Sequence, residues 1–436
     1  MKKMNKLLAF TMVLVMLVST ALVGCGNKGK GGNGDVDIYG ENSAEARLVF
    51  EKRELEGDTN LEVFWFDTEP REDVVAAAAL YKELYGGEIS YYCSSWNDRA
   101  TDLSLLNSAK ELPDVLLGFT HYDFPKFTDM GLFAEISDDE FDFKNEYVDE
   151  ASSANLTSRT DKKYGVAIKD DPEVIIYNKK YISQLGYETP WEMYQNGNWD
   201  WASFKELAKN LSYDSDKDGT TDHYGFNCWS MNSFFNANNA WPLTGSNASP
   251  QLNVNSKEIQ EAYQLLYDMY NVDKSFTPKE GFRAFCDGEI AMYLERPLYI
   301  KHMIANGVPA EDIEIAPVPK GPSASDYMAL GRPIVSAVGN SCEKKEAALA
   351  FIECYMSIQA EMSKTGPRES YGYTYSEQQK ACMDEVRTFK MVDILPTGYG
   401  SVDGNLTSIM GEIKKGSTVS AAIELYKSKM ESALQE

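Results

Sequence analysis

Histidine is scarce in this sequence, with three in 436 residues, and the 42 lysines and arginines fall well short of the 67 aspartates and glutamates. His121, His223 and His302 stand at spacings unlike those of a metal centre. There is no G-x-S-x-G, no H-E-x-x-H and no phosphate-cradling G-x-x-x-x-G-K-[ST], so nucleophile-elbow, zincin and P-loop chemistries have no carrier. A net charge of −25 excludes nucleic acid as a partner, because affinity for it comes largely from cationic contacts to phosphate. The same charge says little about a neutral ligand. Cysteines are few and unpaired in pattern: beyond Cys25 there are Cys93, Cys228, Cys286, Cys342, Cys354 and Cys382, with no C-x-x-C among them. A chain this long needs no disulfide framework, so they read as mostly buried thiols, one or two bridges being the other reading. The apolar run Leu7 to Val18 is too short for a membrane span.

What is present begins with an address. Lys2, Lys3 and Lys6 precede the apolar run, and Leu22-Val23-Gly24-Cys25 after it resembles the lipobox of bacterial lipoproteins. Cleavage before Cys25 would leave a lipid-modified cysteine on a membrane surface, each buried methylene adding about 0.8 kcal/mol of membrane affinity; an uncleaved anchor helix is the alternative. From Gly26 to Ala46 the chain is rich in Gly, Asn, Ser and charge without periodicity, which predicts a flexible tether over residues 25–57. The folded part is expected from Asp58.

Strand-like Leu61–Phe66, a helix Val74–Tyr85 closed by Gly86-Gly87, strand-like Ile89–Tyr92, a helix Asp102–Ala109 and strand-like Val115–Leu117 form a βαβ alternation. That predicts a parallel sheet with helices on both faces. Binding sites on such sheets lie beyond the carboxyl ends of strands, here Trp65-Phe66-Asp67 and Gly118–Tyr122. Trp65 can be core or stacking platform; Asp67, past the strand end, is a ligand-binding candidate. Further on, Val166–Ile168 and Val174–Tyr177 are short β-branched runs. Asp200 is placed to cap a helix with Trp201, Phe204, Leu207, Ala208 and Leu211 on one face. Asn227 to Ser246 is dense in Trp, Phe and Asn. Flat aromatic faces cover the C–H surface of a sugar while amides serve its hydroxyls, so Trp229, Asn232, Phe234 and Trp241 are ligand candidates. An aromatic core helix is the competing reading for Trp229 and Phe234. Asn255 with Glu258 predicts a capping box for the helix bearing Ile259, Ala262, Leu266 and Met269.

Several segments recur in the order of one family. They are Leu112-Pro-Asp-Val115, Gly131-Leu-Phe-Ala-Glu-Ile136, Tyr164-Gly-Val-Ala167, Tyr177-Asn-Lys179, Gly186-x-x-x-Pro190, Tyr224-Gly-Phe226, Gly288-Glu-Ile-Ala-Met292 and Pro317-Val-Pro-Lys-Gly-Pro322, with a final helix from about Thr418. Together these resemble the extracellular solute-binding proteins of ABC importers, in the carbohydrate-binding group that includes maltose-binding protein. The resemblance implies an α/β, two-lobed periplasmic-binding-protein-like fold of type II with a hinge between lobes. Residues 58–166 with about 331–376 would form one lobe, and residues 167–330 with about 377–436 the other. It implies a monomer that holds a carbohydrate between its lobes, presents it to permease subunits and catalyses nothing. Relatives often carry a tryptophan in the loop after G-E-x-A-M; here it reads Glu295-Arg296-Pro297-Leu298-Tyr299. Arg296 then serves an acidic sugar or bridges hydroxyls, or simply pairs with Glu295. The resemblance also places Tyr399 near the ligand.

One acidic loop stands apart. Asp214, Asp216, Asp218, Gly219, Thr220 and Asp222 occupy positions 1, 3, 5, 6, 7 and 9 of an EF-hand calcium loop. Position 12, normally a bidentate Glu, is Gly225, so a structural Ca²⁺ would be held weakly; a solvated acidic turn is the plainer reading. No other cofactor is implied. Two alternatives complete the expectations: the same fold with a peptide, polyamine or organic anion as ligand, or a secreted glycosidase with paired carboxylates.

Overall fold

The computed structural model describes residues 43–95, 97–120, 126–155, 162–168, 172–246, 249–331, 333–365, 374–391 and 400–435. Cys25, most of the expected tether and Tyr399 lie outside them. The strands, in chain order, are β1 Leu61–Trp65, β2 Ile89–Cys93, β3 Val115–Thr120, β4 Val166–Ile168, β5 Val174–Asn178, β6 Tyr224–Cys228, β7 Leu243–Ser246, β8 Ser249–Leu252, β9 Ile290–Glu295, β10 Ile313–Ala316, β11 Met328–Ala329, β12 Ile334–Val338 and β13 Lys390–Met391.

Two sheets organise the chain. The first is five-stranded in the order β2-β1-β3-β12-β4, the second four-stranded in the order β10-β5-β9-β6. β1 pairs in parallel with β2 and β3, as the βαβ alternation predicts, whereas β12 runs antiparallel to β3 and β4. Val63 and Trp65 point into one core, with the helices Glu72–Tyr85 and Lys345–Thr365; Phe64 points into another with Leu116, Phe119 and Val335. Burial on both faces is why these strands read as apolar runs and not as alternation. At Gly118 (φ +77°) an added Cβ would meet the Phe66 ring at 1.9 Å, so only glycine lets β3 pass that ring. In the second lobe the helix Trp201–Asn210 starts at Asp200, whose carboxylate accepts from Ser203 N at 2.9 Å, and buries Trp201, Phe204, Leu207 and Ala208 against β6.

The chain crosses between the sheets from β4 to β5 and again from Leu330 to β12. A third crossing follows the helix Lys345–Thr365, which packs on the first lobe, because Glu377–Val386 packs on β10 in the second. β4 pairs with β12 as far as Ile168, so the first lobe runs two residues past the expected boundary. Among the described residues no helix is long and apolar enough to cross a membrane.

Three expectations change. The segment 43–57 is not tether: Ala44–Arg47 is helical, and the stretch is strapped onto the first lobe. Arg47 meets Glu361 at 3.0 Å, Val49 N donates to Ser357 Oγ at 3.1 Å, and Arg53 makes a two-pronged contact to Glu353 at 2.7 and 2.9 Å while reaching Glu346 and the Glu140 carbonyl, each at 2.6 Å. Composition disguised this, since the partners lie some 300 residues away. The cap of Lys257–Tyr267 is Ser256, accepting from Ile259 N at 3.3 Å, one residue after the expected Asn255. Finally, Cys93, Cys228, Cys286, Cys342, Cys354 and Cys382 are all free thiols, but only Cys228, Cys354 and Cys382 are buried.

Candidate functional site

Strand registers bring two edges together. In the first sheet β1 ends at Trp65 and β3 at Thr120, and Ile334 of β12 stands opposite both Thr120 and Ile168, the last residue of β4. In the second, β6 ends at Cys228 opposite Leu294, β9 ends at Glu295, and Glu295 faces Val174, the first residue of β5. The crossovers 168–174 and 330–334 therefore leave one such edge and enter the other. The carboxyl ends of both sheets converge at the lobe junction, the position where ligands bind on open α/β sheets.

On the second lobe, Trp229 directly follows β6 and is 38% exposed, a large aromatic face left open beside the junction. Asn232 opens the helix Asn232–Ala237; it is buried, and its amide donates to Asp403 at 3.3 Å. Phe234 is corrected from ligand candidate to core: it is 1% exposed and packs on Trp201, Phe204 and Phe226 with centroids 6.1, 5.7 and 5.7 Å away. The whole helix Asn232–Ala237 is buried, and Phe234 is enclosed by the rings of Trp201, Phe204 and Phe226. Trp241 is half-buried between this helix and the β7–β8 hairpin, where its carbonyl accepts from Asn253 at 3.1 Å. It lies well along the chain from the β6 end that carries Trp229. The Glu295 carboxylate is buried and accepts from the Arg296 backbone N–H at 2.9 Å; Arg296 itself is half-buried.

On the first lobe, Trp65 is only 3% exposed, and its indole N–H is buried with no acceptor among the described residues. Asp67 is exposed and accepts from Thr68 N at 2.7 Å. Sequence reading passed over Arg71, whose guanidinium lies 5.5 Å from the centroid of the Trp65 ring, a cation–π contact. Arg71 grips the buried carboxylate of Asp73 in two-pronged fashion, and Asp73 also accepts from the Gln359 amide and, at 3.4 Å, from the Tyr355 hydroxyl. The later helix Lys345–Thr365 supplies Tyr355 and Gln359, which fix Asp73 and with it Arg71, and that anchoring has no local signal in the sequence.

Lys301, from the helix Tyr299–Ala305 of the second lobe, has its ammonium pushed down to about 8, first by burial and next by the positive charge of Arg71; Glu72 and Asp73 oppose the shift. A lysine whose folded pKa lies below its unfolded value binds fewer protons folded than unfolded between those values. Its contribution to stability therefore rises with pH from about 8 toward the ordinary lysine value, and the cost is complete below that window. Arg71→Ala is expected to raise the Lys301 pKa, read by NMR titration of isotopically methylated lysines. An unmoved titration would mean that the two lobes do not sense each other there.

The acidic loop has the expected shape with one difference. Carboxylate oxygens of Asp214, Asp216 and Asp218 lie within 4.8 Å of one another. Asp214 accepts from Lys217 N and Gly219 N at 2.6 and 2.7 Å, and Asp218 from Thr220 N at 2.7 Å. Asp222, expected in the ligand set, instead accepts from Ser215 N at 2.8 Å and from its hydroxyl, which hold its carboxyl below the usual range. Gly225 cannot be the absent Glu for a packing reason: a Cβ there would stand 2.0 Å from the Ala208 carbonyl oxygen.

Comparison with known proteins agrees with this architecture. Residues 76–368 match the family described as bacterial extracellular solute-binding protein. No curated protein matches the sequence. Among solved structures, the ABC substrate-binding protein Lmo0181 from Listeria monocytogenes, in complex with cycloalternan, superposes with a TM-score of 0.68 at 17% identity, covering 87% of this chain and 100% of its own. A cyclo/maltodextrin-binding protein complexed with maltotetraose gives 0.67 at 16%, covering 88% and 99%. The extracellular solute-binding protein from Staphylococcus aureus in complex with maltose gives 0.67 at 15%, covering 87% and 99%. At such identities the likeness establishes the two-lobed fold.

Proposed function

This chain belongs to the bacterial extracellular solute-binding proteins, which bind and do not catalyse, and from that premise we propose that it captures a carbohydrate, an oligosaccharide, between its lobes and delivers it to the permease of an ABC importer. The observation that carries the sugar reading is Trp229, an exposed indole at the carboxyl end of β6, beside Asn232 and the Glu295-Arg296 pair. The similar structures complexed with cycloalternan, maltotetraose and maltose support the choice of glycan. Closure would be a population shift biased by contacts to both lobes, with no bond made or broken. In this reading Cys25 bears the lipid and the protein works as a monomer at the extracellular face of the cell membrane. Arg71, Lys301 and Arg296 support the second reading, an organic anion as ligand.

A thermal-shift screen against maltodextrins, cyclic glucans, uronic acids, peptides and small anions tests this. A ligand at 100 times its Kd stabilises by about 2.7 kcal/mol. A saturable rise with a glycan is expected; a response confined to anions or peptides moves the assignment to the second reading.

We also infer a calcium ion at Asp214, Asp216 and Asp218 with the Thr220 carbonyl; Asp222, held by Ser215 through one carboxylate oxygen, lies outside this set. Three carboxylates without the bidentate twelfth position suit the weak end of such loops, about 10⁻⁴ to 10⁻³ M. Millimolar Ca²⁺ is expected to raise the melting temperature of the wild type and not of Asp216→Asn/Asp218→Asn. Equal response of the two proteins would remove the site.

A further inference from the structure

Glu173 is a carboxylate that a crossover between lobes would not need for packing. It is 2% exposed and stands immediately before β5, where the chain enters the second lobe. Its backbone N–H donates to the Leu330 carbonyl at 3.0 Å, which ties this crossover to the one that returns to β12. Its side chain accepts a hydrogen bond from the hydroxyl of Ser233, itself 2% exposed, in the first turn of Asn232–Ala237. That helix follows Trp229 and begins with Asn232, which is held to Asp403 at 3.3 Å. Glu173 thus joins the helix behind the ligand-facing edge through its side chain, and the crossover that returns to β12 through its backbone N–H. Burying a carboxylate costs free energy unless it is hydrogen-bonded, and an apolar residue would fill the space without that cost.

We propose that Glu173 is the positioning residue that couples ligand capture to lobe closure, through its hydrogen bond to Ser233. A ligand resting on Trp229 displaces the Asn232–Ala237 helix; the Ser233–Glu173 bond hands that displacement to the crossovers at 173 and 330, and the lobes move as a consequence. With the bond cut, the contacts of the second lobe remain and the hinge no longer follows them. This deepens the interlobe part of the proposed function and is independent of which solute is bound.

The test uses the full chain carrying Ser233→Ala, which deletes one oxygen, and Glu173→Gln, which keeps an acceptor for Ser233. Hydrogen exchange without ligand reads the clasp through the Glu173 backbone amide, whose bond to the Leu330 carbonyl loosens when its side chain is released. In Ser233→Ala the Glu173 amide is expected to exchange about ten-fold faster, the loss of one buried hydrogen bond, with β6 and β9 amides unchanged and with near wild-type exchange in Glu173→Gln. Small-angle scattering with saturating maltotetraose reads closure: the wild type and Glu173→Gln contract, and Ser233→Ala binds about ten-fold more weakly and does not contract. A uniform rise in exchange across the second lobe, or contraction of Ser233→Ala like the wild type, overturns the coupling in favour of a merely structural bond. If maltotetraose leaves the wild type itself unmoved, the sugar reading fails for that glycan. The exchange measurement then decides the coupling alone, unchanged Glu173 protection in Ser233→Ala refuting it.

Discussion

Trp229→Ala is expected to weaken glycan binding about 30-fold or more while leaving stability within about 0.5 kcal/mol of wild type; Phe234→Ala, five residues on, is expected to do the opposite. Both are large aromatics in the same Trp-, Phe- and Asn-rich stretch, and the difference lies in what surrounds them. Trp229 is 38% exposed, so removing it opens no cavity, but it removes an aromatic anchor of the kind whose truncation costs 2 kcal/mol or more, about 30-fold or more in Kd. Phe234 is 1% exposed amid Trp201, Phe204 and Phe226. Truncation there forfeits the buried ring and leaves a void, together about 3–5 kcal/mol. Calorimetric titration with the best glycan from the screen and urea unfolding of both variants would check the pair. Wild-type affinity in Trp229→Ala would take the site away from the end of β6. A Phe234→Ala protein of normal stability would mean that the ring does not fill this core.

Arg53→Ala is expected to cost about 3–5 kcal/mol, and Arg47→Ala no more than about 1 kcal/mol, although both arginines clasp the same helix. The side chain of Glu353 is 5% exposed, so without Arg53 its charge is stranded in the interior; Glu361, the partner of Arg47, is 35% exposed and water replaces the guanidinium. Burial already pushes the Glu353 carboxyl up, with Arg53 opposing. Loss of Arg53 leaves burial, with the nearby charges of Glu346 and Asp142, unopposed. A carboxyl raised above its unfolded value contributes stability that is present below the unfolded pKa and lost as pH rises through the folded one. The deficit of Arg53→Ala is therefore expected to be larger at pH 8 than at pH 4.5. Urea unfolding at the two values, with limited proteolysis of residues 43–57, reads both effects. A pH-independent deficit would mean that Glu353 is not isolated by the substitution.

Much of the fold was legible because its signals are local. The apolar runs of β1, β3, β4 and β5, the Gly86 stop and the Asp200 cap follow from residue size, β-branching and capping chemistry within a few positions of each other. The family segments could be read in the same way, being short, ordered strings. In the first lobe the sequence singled out the ends of β1 and β3, with Trp65 and Asp67 at or just past the former; Trp229 came from composition and Glu295-Arg296 from the resemblance, and the strand bounds put them at the ends of β6 and β9.

What local pattern could not supply is direction and partnership. Trp229 and Phe234 look alike in sequence, and only packing on β6 determines which ring meets solvent. Arg71 and Lys301 sense each other across lobes, Arg53 finds Glu353 across 300 positions, and Glu173 finds Ser233 across 60. Sequence by itself determined which segments become strands and helices, because hydrophobic period and capping act over a turn or a strand; the two-lobed class came from the resemblance of its ordered segments to one family. The tertiary structure alone decided which polar groups are buried together. That depends on burial and on charge pairing between residues brought close only after the sheets have formed.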